Sequence, residues 1–154
     1  MTTVAEVSSR TAFTSNQRRL AVGLVLGVTL VAFEVTAVIT ALPTITDELG
    51  GDSLYGVALA AYMLANLVAL VAAGGMADRR GPTVPFLASI ATFVAGLVVT
   101  GVAPNMVVVV IGRAMQGAGA GGIAPIAYVL VKRAFPVDRQ AMMYAVLSLS
   151  LIHI

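Results

Sequence analysis

The chain has 154 residues, of which 59% are hydrophobic and only 10% are charged, and its net charge is +2. Soluble domains carry about 25% charged residues, so this composition excludes a water-soluble globular domain. The sequence contains no cysteine and one histidine, which excludes disulfides and leaves too few side chains for a metal site. A pI near 9.4 does not indicate nucleic-acid binding, because the basic residues form short clusters between apolar runs.

The first segment, residues 1–19, is polar and lacks the apolar core of a signal peptide. We expect it to form a disordered cytoplasmic leader. The apolar run that follows, residues 20–42, is too long for the hydrophobic region of a signal peptide. A bilayer core about 30 Å thick needs about 20 apolar residues in a helix, so this run predicts a retained membrane-spanning helix.

Three further runs of membrane length follow, at residues 54–77, 84–103 and 106–131, and another begins near Ala141. Backbone groups in lipid must hydrogen-bond within their own segment, so we predict helices despite the high valine content. The predicted fold is therefore all-α and transmembrane, with four helices and the start of a fifth. We expect these helices to form a partial N-terminal transmembrane domain over residues 20–148.

The last six residues, 149–154, read Leu-Ser-Leu-Ile-His-Ile. This hexapeptide is the in-frame translation of a transposon-end adapter used in DNA library preparation. We therefore expect a non-native tail that carries no function. The alternative is an apolar continuation of the fifth helix, and the underlying codons distinguish the two.

The charges between the runs predict an orientation. The loops on one side hold Asp47, Glu48 and Asp52, and no lysine or arginine. Eight of the nine basic residues fall on the other side if the helices alternate, namely Arg10, Arg18, Arg19, Arg79, Arg80, Lys132, Arg133 and Arg139. Because cytoplasmic loops are enriched in Lys and Arg, we expect the N-terminus in the cytoplasm and the protein in the plasma (inner) membrane.

Two charged residues lie inside apolar runs, where each costs at least a few kcal/mol unless it faces a cavity or a partner. Glu34 lies about 12 Å below the outer end of the first run, and Arg113 lies about 10 Å below the same face in the fourth. Opposite charges at similar depth suggest a shared internal cavity, with a carboxylate that binds and releases a proton beside an arginine that tunes its affinity. The alternative is a static ion pair that serves packing.

The fourth run is rich in small residues, which let helix backbones approach closely in membranes. The glycines that we expect at helix contacts are Gly117, Gly119, Gly121 and Gly122. The spacing of three of them also matches the dinucleotide-binding fingerprint, which requires a strand, a tight turn and a helix. We reject that interpretation because the glycines lie within a run of membrane length, and we expect no cofactor, no enzymatic activity and no nucleic acid partner.

Three segments resemble the drug:proton antiporters of the major facilitator superfamily. The end of the second run resembles the loop signature Gly-x-x-x-Asp-Arg-x-Gly at Gly74, Asp78, Arg79 and Gly81. The fourth run is similar to Arg-x-x-Gln-Gly-x-Gly at Arg113, Gln116, Gly117 and Gly119. The first run resembles the acidic-x-Thr…Ala-Leu-Pro element at Glu34, Thr36, Ala41, Leu42 and Pro43. The chain departs from the family pattern with Pro82 and Thr83 after the loop signature, and with Glu34 and Ile39 in place of Asp and Asn.

The resemblance implies a larger protein of twelve or fourteen helices, with inverted three-helix repeats and a small-molecule site near the midplane. It implies protons as coupling ions, with Glu34 as the proton carrier and Arg113 as the residue that tunes Glu34, and a gating loop that contains Asp78. The C-terminal half of the same protein, missing from this chain, would complete the transport path. We expect four residues to line that path or its cavity, namely Thr36, Tyr62, Asn66 and Gln116.

The function implied is proton-coupled efflux of drugs or other small amphipathic compounds by alternating access. One alternative is a porter of the same superfamily that imports a sugar or metabolite. A second alternative is a membrane scaffold or receptor that transports nothing. The alternative for Tyr62 and Asn66, four residues apart on one helix face, is helix–helix hydrogen bonding, which is the more common role of such residues.

Overall fold

The computed structural model describes residues 14–152, and these residues form helices without any strand. The five α-helices are α1 (Ser15–Leu49), α2 (Tyr55–Arg80), α3 (Thr83–Gly101), α4 (Met106–Ala134) and α5 (Val137–Ile152). A short 3₁₀ helix, Asp52–Leu54, links α1 to α2. Four helical segments, which contain α1, α2, α3 and α4, are long and apolar enough to cross a membrane. The predicted all-α transmembrane fold is confirmed, whereas most of the predicted leader and the last two residues of the predicted tail lie outside the described residues.

Helix α1 begins at Ser15, five residues before the predicted start, because a capping box closes its first turn. The Thr14 hydroxyl accepts a hydrogen bond from the backbone N–H of Gln17 at 3.3 Å, and the Gln17 side chain accepts one from the Thr14 N–H at 3.2 Å. The helix also continues to Leu49, well beyond the predicted end at Leu42. Hydropathy marks the part of a helix that lipid can cover, whereas the cap determines where the helix starts.

The outer part of α1 contains Pro43, which lacks the N–H that a helix interior requires. The helix nevertheless continues past it. The hydroxyl of Thr46, which is buried, donates to the Leu42 carbonyl at 2.8 Å, and that of Thr40 donates to the Thr36 carbonyl at 3.0 Å. Such bonds of threonine to the preceding turn satisfy the hydroxyls inside the helix.

The remaining boundaries differ from the predicted ones by a few residues. Helix α2 runs to Arg80 and ends at Gly81, whose φ of +81° favours glycine, so that α3 follows after a tight turn. Helix α5 begins at Val137 rather than near Ala141, with Asp138 in its first turn. An acidic residue there favours the start of a helix through the helix dipole, so the polar first turn of α5 lies outside the apolar run.

Helix α4 is the centre of the bundle. It packs along its length against α2 and α3, and it also contacts α1, which in turn packs against α5. In its most apolar stretch 61% of the residues are buried, against 28% or less in the other three spans. Arg113 and Gln116 on α4 are therefore held between helices, while the outer faces of α1, α2 and α3 carry exposed apolar side chains.

Two glutamines hold the C-terminal end of α4, where the last carbonyls of a helix have no partner within the helix. The Gln17 amide of α1 donates to the Ala134 carbonyl at 3.1 Å. The Gln140 amide of α5 donates to the carbonyls of Phe135 at 2.9 Å and Lys132 at 3.2 Å. These bonds tie α1, α4 and α5 together at the end of the bundle that the basic residues predict to be cytoplasmic.

Candidate functional site

A buried ion pair joins α1 to α4. Glu34 is 4% exposed and Arg113 is 2% exposed, and Nη1 of Arg113 donates to Oε1 of Glu34. The same Nη1 also donates to Oε1 of Gln116 at 2.7 Å. Arg113 and Gln116 are three residues apart, so one helix face presents both side chains. The structure thus brings three of the predicted site residues into one cluster inside the bundle.

Helix α2 adds an aromatic ring to this cluster. The ring centroid of Tyr62 lies 4.2 Å from Cζ of Arg113, within the distance at which an aromatic face attracts a cation. The sequence predicts that Tyr62 lines the path, but no pattern in it predicts the contact of Tyr62 with Arg113. The guanidinium therefore has three neighbours: a carboxylate from α1, an amide from α4 and an aromatic face from α2.

The cluster contains polar atoms without a partner among the described residues. Glu34 binds Arg113 through Oε1, while its Oε2 is buried and unpaired, as is Nε of Arg113. A buried polar atom without a hydrogen bond costs about 1–3 kcal/mol. Protonation of the free oxygen would supply a hydroxyl and remove the negative charge, so Glu34 has two chemically distinct states available in this site.

Glycines on two faces of α4 allow α2 and α3 to approach it. A Cβ on Gly117 would lie 2.9 Å from Cα of Tyr62, and a Cβ on Gly119 would lie 2.6 Å from Cα of Phe93. Gly121 lies against the backbone of Asn66 on α2, and Gly122 lies against Ser89 on α3. Side chains at these positions would push the helices apart, so the glycines allow the close contact that places Tyr62 over Arg113.

Two further glycines, which are not predicted from the sequence, belong to the same contact. A Cβ on Gly96 of α3 would lie 2.6 Å from the backbone nitrogen of Gln116, and a Cβ on Gly112 would lie 2.9 Å from that of Thr100. Gly112 and Gly119 are seven residues apart and so share a helix face, a spacing that could have indicated this contact. Because Gly96 has no side chain, α3 packs directly against the turn of α4 that carries Gln116.

Two other predicted residues stay outside the cluster. Thr36 is exposed on α1, and its hydroxyl donates to the Ala32 carbonyl at 3.4 Å within its own helix. Asn66 is half-buried one turn after Tyr62, with its backbone oxygen against Gly121. Neither side chain hydrogen-bonds to the Glu34–Arg113 pair in the part of the chain that the structure describes.

The predicted gating residues lie far from this cluster. Asp78 is sixteen residues after Tyr62 on α2, a distance of about 24 Å along the helix. Asp78 and Arg79 are exposed, and Gly81 forms the turn to α3. A Cβ on Gly74 would meet no atom within 4 Å among the described residues, so this face of α2 is open.

The chain is similar to known membrane transporters. The family profile of the Major Facilitator Superfamily matches residues 24–152.

An uncharacterised MFS-type transporter of Mycobacterium tuberculosis (strain H37Rv) is 40% identical over 113 residues, which cover 73% of this chain and 16% of the relative. Multidrug resistance protein 3 of Bacillus subtilis is 30% identical over 137 residues, or 89% of this chain and 27% of the relative. Multidrug transporter protein MdtP of the same organism is 31% identical over 127 residues, or 82% and 24%. The chain therefore spans between 16% and 27% of the length of these relatives.

Proposed function

This chain belongs to the Major Facilitator Superfamily of membrane transporters, and from that premise we propose that the whole protein exports drugs or other small amphipathic compounds in exchange for protons. The observation that carries the proposal is the buried Glu34–Arg113 pair with its unpaired carboxylate oxygen. Ionisable residues inside membrane spans are expensive and typically mark proton or substrate pathways. The two Bacillus subtilis relatives, multidrug resistance protein 3 and multidrug transporter protein MdtP, support drugs as the substrate class.

In the proposed cycle, Glu34 alternates between a charged state paired with Arg113 and a neutral state that carries a proton on its free oxygen. Protonation removes the Coulomb attraction between α1 and α4, which in a low-dielectric interior is much stronger than in water. A ligand that favours one state shifts the populations of inward- and outward-facing forms only by its differential affinity for them. Protons and substrate are thereby coupled through the same pair.

Other residues have supporting roles in this proposal. Gln116 keeps a hydrogen bond to Arg113 in both states, and Thr36, Tyr62 and Asn66 lie along the substrate path or its wall. The gating loop with Gly74, Asp78, Arg79 and Gly81 would dock against a part of the protein beyond this chain. The exposed charges and the open face of α2 at Gly74 leave this end free for such a contact.

The direct test replaces Glu34 by glutamine in the full-length protein reconstituted into liposomes. We expect uphill efflux driven by a pH gradient to fall to the background of protein-free vesicles, while exchange of labelled substrate without a gradient persists. Glutamine keeps the size of the Glu34 side chain and one oxygen acceptor, but it cannot bind and release a proton. The measurement is the accumulation of a fluorescent amphipathic cation.

The matched control is Glu48→Gln, a change of the same type at an exposed position of the same helix. We expect gradient-driven efflux in this variant to stay at the level of the unmodified protein. Unchanged proton-driven efflux in Glu34→Gln would contradict the role of Glu34. A gradient that drives net import of a sugar or metabolite instead would favour the uptake porter over the exporter.

We further propose a multi-pass protein of the plasma membrane with its N-terminus in the cytoplasm, and single cysteines test this orientation. The 154 residues contain no cysteine, so Ser53→Cys before α2 and Thr83→Cys at the start of α3 each introduce one thiol at an exposed position. In a full-length background free of other cysteines, we expect a membrane-impermeant maleimide added to intact cells to label position 53 and not position 83. The reverse pattern would invert the proposed orientation.

A further inference from the structure

The three neighbours of the Arg113 guanidinium differ in what happens to them during the proposed cycle. Glu34 changes its charge, whereas the Gln116 amide and the Tyr62 ring do not. Arg113 is 2% exposed in this structure, and it loses its counter-charge when Glu34 takes up a proton. A buried charge whose partner has been removed is strongly destabilising, so the protonated state requires another source of stabilisation for the cation.

Gln116 supplies one hydrogen-bond acceptor at 2.7 Å, which satisfies one donor of the five that a guanidinium carries. The face of an aromatic ring carries negative potential and attracts a cation most strongly when both are removed from water. The Tyr62 ring centroid is 4.2 Å from Cζ, and Tyr62 comes from a different helix than Glu34. Its attraction therefore persists whether or not Glu34 is charged.

The effect of the ring differs between the two states. The negative potential of its face attracts the guanidinium and repels a nearby carboxylate, so the two contributions oppose each other in the ion pair. Once Glu34 is neutral, only the attraction remains. The ring therefore stabilises the protonated state relative to the paired state.

We propose that Tyr62 is a positioning residue that holds the Arg113 cation when Glu34 is protonated, and that it thereby sets the pH at which Glu34 exchanges its proton. The part of this inference that concerns transport rests on the proposed function. The effect on the protonation of Glu34 does not, because it follows from the opposite effects of the ring face on the guanidinium and on the carboxylate.

No other titratable side chain among the described residues competes for this role. Arg113 from α4 donates to the Glu34 carboxylate, and the Tyr62 ring from α2 contacts the same guanidinium. Helix α3 contains no titratable residue. On α5 the Tyr144 ring stacks on Tyr128 with centroids 5.6 Å apart, and the charged residues lie in its first turn.

The test is a series of side chains at position 62 in the full-length protein: phenylalanine, phenylalanines with one, two and three ring fluorines, and leucine. Fluorination withdraws electrons from the ring face while nearly preserving its shape, so it separates electrostatic attraction from space filling and keeps the fold intact. The readout is an infrared titration of the protonated carboxyl band that Glu34→Gln removes. This readout requires no transport.

We expect Tyr62→Phe to titrate close to the unmodified protein and the midpoint pH to fall stepwise with each fluorine. Tyr62→Leu should lower the midpoint by about one pH unit, a tenfold change equivalent to about 1.4 kcal/mol. A midpoint that leucine leaves unchanged would overturn the inference. So would a shift in the leucine variant without any trend in the fluorinated series, because that result assigns Tyr62 a purely space-filling role.

The outcomes for the two proposals are separable. If Glu34→Gln retains proton-driven efflux while the series at position 62 shifts the infrared midpoint, the transport role of Glu34 fails and the coupling of Tyr62 to Glu34 stands. If Glu34→Gln abolishes proton-driven efflux and the midpoint does not move in the series, the proposed function stands and the role of Tyr62 fails.

Discussion

The double substitution Gly117→Ala/Gly121→Ala is expected to lower the free energy of unfolding of the full-length protein by more than about 3 kcal/mol. Each alanine adds a Cβ where the backbone of α2 already lies, at Tyr62 and at Asn66. Overpacking a well-packed contact costs typically about 1–3 kcal/mol per site. We expect the loss as a lower midpoint of thermal unfolding in detergent micelles.

The control is Gly23→Ala/Gly56→Ala, which adds the same two methyl groups on α1 and α2 where nothing lies within 4 Å among the described residues. Alanine has a helix propensity about 1 kcal/mol better than that of glycine, so this variant should unfold at the same temperature or higher. Equal unfolding midpoints for the two double variants would show that α2 and α4 can separate without loss of stability. That result would contradict the close contact of Gly117 and Gly121 with α2.

Much of the fold could be predicted because lipid imposes a simple rule. Runs of about 20 apolar residues must be helical, and this rule predicted all four spans and the start of α5. The same physics predicted that Glu34 and Arg113 share a cavity, since opposite charges at similar depth in hydrocarbon are stabilised by pairing with each other. Their pairing in the structure depends on α1 and α4 being neighbours, which depth alone does not determine.

The details that escaped prediction depend on how the helices are rotated about their axes. Membrane helices are apolar on all sides, so the pattern of apolar residues does not say which face of α2 meets α4. Tyr62 could therefore be placed on a helix but not over the guanidinium of Arg113. The early start of α1 at Ser15 depends on a polar capping box at Thr14, which hydropathy does not detect.

Arg113→Met and Glu34→Leu are each expected to lower the free energy of unfolding by about 3–5 kcal/mol, because each leaves one buried charge without its partner. The double variant Glu34→Leu/Arg113→Met should recover most of this loss, since no charge remains in the interior. The measurement is a double-mutant cycle on thermal unfolding in detergent, which isolates the interaction of the two side chains.

The same cycle distinguishes a static ion pair from a proton carrier. In Arg113→Met the loss should shrink as the pH falls, because Glu34 can become neutral, whereas in Glu34→Leu it should not change, because the guanidinium stays charged. The double variant should regain stability without regaining proton-driven efflux. A double variant as unstable as the sum of the two single variants would mean that the pair contributes no coupling energy. If the double variant exports substrate against its gradient at the same rate as the unmodified protein, the pair serves packing alone.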